Sequence, residues 1–231
     1  MTPGHCAACL VALISISCGA GRSASSPSIP TGPAASMYCL SPADKPSAVR
    51  FSGLNGQVVG SGPIGVVLTN GSANDSCLYR PLVDRLRAVP MFRTLLYFFQ
   101  GKLENNIAAA AKFMRGQGCR TVLLVGDSVG GSTTLIVASA LIPVPAGAVS
   151  LSGESTPDEV HYLRVPTLIL ASESDRLFPG PTARQVFAVI PATDKQLKVF
   201  DGAQHGTALL EGPQAAEALD LVVGFLQEHA Q

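Results

Sequence analysis

The sequence predicts an α/β fold, a mostly parallel central sheet with helices on both faces. Three observations predict it. Short runs rich in β-branched residues and leucine alternate with amphipathic or alanine-rich stretches along the 231 residues. Most of these runs are apolar throughout, as strands buried on both faces of a parallel sheet require. The run Thr121 to Val125 breaks into Gly126-Asp127-Ser128-Val129-Gly130 before small and apolar residues resume over Gly131 to Ile142, the layout of a sharp turn from strand into helix.

At the start of the chain, residues 1–18 read as a signal peptide, because Cys6 to Ile16 is an apolar run too short to span a bilayer, followed by Ser17-Cys18-Gly19. That ending resembles a bacterial lipobox, which implies export, a lipid on Cys18 and membrane anchorage through it. Plain cleavage and secretion is the alternative. Residues 19–47 are Ser, Pro, Ala and Gly with few large apolar side chains, so a disordered linker is expected there and a folded domain over 48–231. Export also suggests that Cys39, just before the domain, pairs with Cys77.

Within the domain, Val49 to Phe51 and Gln57 to Gly60 flank Asn55-Gly56, which predicts an antiparallel hairpin turning at that dipeptide. Ile64 to Thr69 predicts a buried strand, Leu78 to Val89 a helix, Arg93 to Phe99 a strand and Ile107 to Met114 an alanine-rich helix. After the serine turn and its helix come strands at Gly147 to Leu151, Val165 to Ala171 and Lys195 to Phe200. A helix is expected at Thr182 to Ile190, and another over Ala215 to His229 closes the chain. The stretch from Ser152 to Arg164 is short and polar, so no apolar cap domain is expected over the sheet.

Lys and Arg balance Asp and Glu at 16 each, which gives no basic face for nucleic acid. The cysteines are too few for a disulfide scaffold and too scattered for a metal site. Neither a metal nor an organic cofactor is expected, and a monomer is.

The G-x-S-x-G pentapeptide by itself arises by chance in about one chain in ten of this length. Its context is more telling. In a parallel sheet, functional residues gather beyond the carboxyl ends of strands. Ser128 follows the Thr121 strand, Ser172-Glu173-Ser174-Asp175 the Val165 strand, and Gly202-Ala203-Gln204-His205-Gly206 the Lys195 strand. A nucleophile, a carboxylate and an imidazole thus appear in the order Ser, Asp, His. Of the carboxylates, Glu173 and Glu154 compete with Asp175, since each lies near a strand end.

From about Val49 to its end, the chain resembles a small, lidless α/β-hydrolase of the dienelactone-hydrolase or esterase kind. The resemblance rests on Gly126 to Gly130, on Pro166 to Pro179 and on Gly202 to Gly206. It implies Ser128 as nucleophile, His205 as general base and then acid, and Asp175 as the group that orients the imidazole. In the loop Thr69-Asn70-Gly71-Ser72, Asn70 stands where such proteins usually have histidine. The resemblance then implies an oxyanion hole from the backbone N–H groups of Ser72 and Val129. The expected activity is hydrolysis of a small ester or related acyl substrate through an acyl-enzyme on Ser128. An acyltransferase or thioesterase with the same triad, and an inactive surface binding protein, are the alternatives.

Overall fold

The computed structural model describes Met1, Leu40 and residues 42–231. The expected signal peptide after Met1, Cys18, Cys39 and most of the expected linker lie outside the described residues. One sheet of eight strands forms the centre. Its members in chain order are β1 (Ser47–Phe51), β2 (Leu54–Val59), β3 (Ile64–Thr69), β4 (Phe92–Tyr97), β5 (Thr121–Asp127), β6 (Gly147–Leu151), β7 (Thr167–Ser172) and β8 (Lys195–Phe200). Across the sheet they run β1-β2-β4-β3-β5-β6-β7-β8. β2 pairs antiparallel with β1 and β4, and every other pairing is parallel.

Among the described residues six α-helices cover the sheet: α1 (Arg80–Arg87), α2 (Leu103–Gly116), α3 (Val129–Ala138), α4 (Pro157–Val160), α5 (Gly180–Val189) and α6 (Ala215–Glu228). Alternation along each strand divides the core in two. Val67, Leu95, Leu124 and Ile169 face one side, where Ile107 and Met114 of α2, Leu135 of α3 and Val186 of α5 pack. Val66, Leu68, Leu123, Val149 and Leu170 face the other, against Leu82 and Leu86 of α1 and Val222 and Leu226 of α6. Between β6 and β7 the only helix is the four-residue α4, and no cap is present among the described residues.

The hairpin turns earlier than the sequence suggested. Phe51 pairs with Leu54, and the turn residues are Ser52 and Gly53, both at positive φ (47° and 83°). Asn55 and Gly56 lie inside β2. Gly56 is needed for a close approach instead of a turn, since a Cβ there would stand 2.5 Å from the Leu96 carbonyl oxygen.

The expected linker also ends sooner. Pro42–Asp44 forms a 3-10 turn and β1 begins at Ser47. The reason is Asp44, whose carboxylate is buried and lies 2.8 Å from Arg80 Nη1 and 2.5 Å from Arg87 Nη1. Two guanidiniums on α1 thus hold a segment whose own composition would leave it loose. Cys77 is disulfide-bonded, and Cys119, the other cysteine among the described residues, is free and buried. The partner of Cys77 therefore lies outside the described residues.

Candidate active site

Ser128 stands between β5 and α3, at the N-cap position of α3. Its backbone sits at φ 51°, ψ −122°, a conformation that costs a non-glycine residue about 1–3 kcal/mol and is held by its surroundings. A hydrogen bond from Ser128 N–H to the Leu151 carbonyl (2.9 Å) and one from Ser132 N–H to the Ser128 carbonyl (3.0 Å) fix the turn from both sides. The flanking glycines are demanded by contact. A Cβ on Gly126 would lie 2.2 Å from the Gly130 oxygen, and one on Gly130 would lie 2.4 Å from the Asn70 oxygen.

Strand ends bring three side chains into line. Ser128 Oγ lies 2.9 Å from His205 Nε2, and His205 Nδ1 lies 2.8 Å from Asp175 Oδ2. These residues are 77 and 30 positions apart in the chain, so only the sheet joins them. The buried Asp175 carboxylate is fixed through its other oxygen, which accepts N–H bonds from Leu177 (2.9 Å) and Phe178 (3.3 Å). The histidine loop is anchored too, because Ser172 Oγ donates to the Gln204 carbonyl at 2.8 Å.

The competing carboxylates have other places. Glu173 is exposed and paired with Arg184 at 2.7 Å, which holds its carboxyl below the usual range. Glu154 Oε1 lies 3.4 Å from Ser128 Oγ and 4.0 Å from His205 Nε2, on the opposite side of the imidazole from Asp175.

The loop after β3 runs beside Ser128, since a Cβ on Gly71 would come within 3.1 Å of Ser128 Cβ. Asn70 holds this loop to the end of β4. Its Nδ2 donates to the Tyr97 carbonyl at 2.8 Å and to Ser76 Oγ at 2.9 Å, an internal tie that suits the residue found there. Tyr79 adds a hydroxyl bond to the Thr69 carbonyl at 2.8 Å. Ser72 follows directly. On the other side, Val129 is the first residue of α3, where N–H groups have no acceptor within the helix.

Asp127 is a site residue that carries no sequence signal. The variable second position of the pentapeptide is buried, and its two carboxylate oxygens accept the N–H groups of Thr207 (2.9 Å) and Gly71 (3.3 Å). Burial raises its pKa, while the Thr207 and Gly71 N–H groups and His205 act to lower it. One side chain thereby ties the loop beside Ser128 to the loop that carries His205.

Comparison with known proteins agrees with this architecture. A family model described as "Serine aminopeptidase, S33" matches residues 146–211, a span that includes Asp175 and His205. Among solved structures, a monoacylglycerol lipase from Paleococcus ferrophilus has a TM-score of 0.68 at 17% identity, covering 76% of this chain and 99% of that one. An esterase from Pyrococcus furiosus has a TM-score of 0.70 at 13% identity, covering 83% of this chain and 96% of that one. A dienelactone hydrolase from Anabaena variabilis has a TM-score of 0.65 at 18% identity, covering 79% of this chain and 96% of that one. Sheet order, serine turn and neighbours agree: the chain has the α/β-hydrolase fold.

Proposed function

We propose that this protein is a serine hydrolase that cleaves a small ester or related acyl substrate through an acyl-enzyme on Ser128. The observation that carries the reading is the continuous relay from Ser128 Oγ to His205 Nε2 (2.9 Å) and from His205 Nδ1 to Asp175 Oδ2 (2.8 Å). The structural neighbours named as a monoacylglycerol lipase and an esterase support the choice of an ester.

In this mechanism His205 Nε2 takes the Ser128 proton as Oγ attacks the carbonyl carbon. The oxyanion turns towards the N–H groups of Ser72 and Val129, on the side where the β3 loop approaches the serine. His205 then gives its proton to the departing alcohol oxygen. A water enters, His205 removes its proton, and a second tetrahedral intermediate collapses to release the acid and restore Ser128. Asp175, anchored by two backbone N–H groups, keeps Nδ1 protonated and the ring in line.

The test is turnover of a short p-nitrophenyl ester by the wild type and by Ser128→Ala, His205→Ala and the double variant. Each single change is expected to cost about 10⁴-fold in kcat and the double little more, because triad members act as a unit. Additive losses, or an active Ser128→Ala protein, would refute the assignment. The N-terminal sequence supports export, with lipidation of Cys18. Mass analysis of the mature N-terminus tests that proposal, and an unprocessed terminus on the exported protein would refute it.

A further inference from the structure

We propose that Glu154 makes this site selective for esters whose leaving alcohol carries a positive charge a few bonds from the scissile oxygen. The inference rests on the acyl-transfer reading above and concerns the same site.

Glu154 follows β6, and the sheet order places β6 on the opposite side of β5 from β3. The β3 loop supplies the oxyanion side, so a bound carbonyl points its oxygen away from Glu154. Glu154 Oε1 lies instead 4.0 Å from His205 Nε2, the atom that hands a proton to the leaving group, and 3.4 Å from Ser128 Oγ. The carboxylate therefore borders the space that the departing alcohol crosses.

Glu154 has no evident part in holding the fold. Its neighbour Glu159 does: it accepts from Thr156 N–H at 2.8 Å and from Thr156 Oγ1 at 2.9 Å, capping α4. Glu154 makes no such cap, and its side chain is 41% exposed. It is not the orienting acid either, because Asp175 occupies Nδ1. Among the described residues its one ion-pair distance is the 4.0 Å to His205, so no Lys or Arg offsets it.

The Glu154 carboxylate attracts a cation carried on the leaving alcohol and offers no such attraction to a neutral or acidic leaving group. The carboxylate thus discriminates between substrates by charge while the relay does the chemistry.

The experiment uses two acetate esters of the same shape, one of 2-(trimethylammonio)ethanol and one of 3,3-dimethylbutanol, which differ by a charged nitrogen in place of a carbon. The readout is the ratio of their kcat/KM values in the wild type, Glu154→Gln and Glu154→Asp. The ratio is expected to fall about three- to tenfold in Glu154→Gln and less in Glu154→Asp. Rising ionic strength should lower the wild-type ratio and leave that of Glu154→Gln nearly flat. An unchanged ratio, with Ser128-dependent hydrolysis of the neutral ester, overturns the selectivity while leaving the serine hydrolase reading intact. Equal loss on both esters also overturns it, pointing to support of the imidazolium instead. If the wild type turns over neither ester, or Ser128→Ala turns over both, the underlying reading has failed and this inference falls with it.

Discussion

The Asp127 carboxylate accepts the backbone N–H of Thr207 at 2.9 Å, joining positions 80 residues apart. Its other oxygen accepts from Gly71 at 3.3 Å. Both approaches require glycine, since a Cβ on Gly206 would stand 1.8 Å from Asp127 Oδ1 and one on Gly71 would stand 2.7 Å from Oδ2. Asn at 127 can serve one of these N–H groups and must present its own NH₂ to the other. We predict that Asp127→Asn lowers kcat on short esters about 10–100-fold with little change in KM, because it displaces loops and not the substrate pocket. Steady-state kinetics on correctly folded protein checks this, and an unchanged kcat would remove Asp127 from the site.

The same carboxyl predicts a pH effect on stability. Burial, the largest influence, raises its pKa above the ordinary 3.8, so the folded state binds the proton more tightly than the unfolded state. Its contribution to stability is then fully present below that value and is lost as pH rises through the raised one. The stability advantage of wild type over Asp127→Asn should therefore shrink as pH rises above about 3.8, as followed by urea denaturation at several pH values. An advantage that grew over that range would reverse the sign.

What was legible in the sequence was what local pattern encodes. Continuous apolar runs such as Ile64 to Thr69 and Val165 to Ala171 announced buried parallel strands, and every residue of the resulting β3 and β7 is buried. The glycines around Ser128 announced the turn, because crowding there leaves no other choice. The misread features are set by distant partners. Asn55-Gly56 and Ser52-Gly53 both suit a tight turn, and the approach of Gly56 to Leu96 on β4 decides between them. Asp44 is ordered by Arg80 and Arg87 on α1, and Asp127 by loops 56 and 80 residues away. No window of sequence around these aspartates contains those partners.

Cys77 lies in the 3-10 turn Ser76–Tyr79, close to Arg80 that grips Asp44. Because Cys77 is disulfide-bonded and Cys119 is free, we predict that Cys39 is the partner. A loop of that length contributes about 3–4 kcal/mol in the chain-entropy model. Peptide mapping without reductant should recover Cys39 and Cys77 in one linked pair. Recovery of alkylated Cys39 would rule the pairing out.

With α4 the only helix between β6 and β7, no apolar cap closes over Ser128 among the described residues. The acyl group should therefore gain from its first few methylenes alone, each contributing up to about 0.8 kcal/mol when buried. We predict that kcat/KM on p-nitrophenyl esters peaks at short acyl chains and shows no jump above the critical micelle concentration. A steady rise through long chains would argue for an acyl tunnel that the fold does not suggest.

Covalent labelling tests the central claim most directly. A fluorophosphonate incubated with the native protein should add one adduct per chain, and peptide mass mapping should place it on Ser128. Labelling should vanish in Ser128→Ala and slow about 10⁴-fold in His205→Ala, since the proposed base is then missing. An adduct on another residue, or a native protein that resists the probe while Ser128 Oγ stays 2.9 Å from His205 Nε2, would contradict the account.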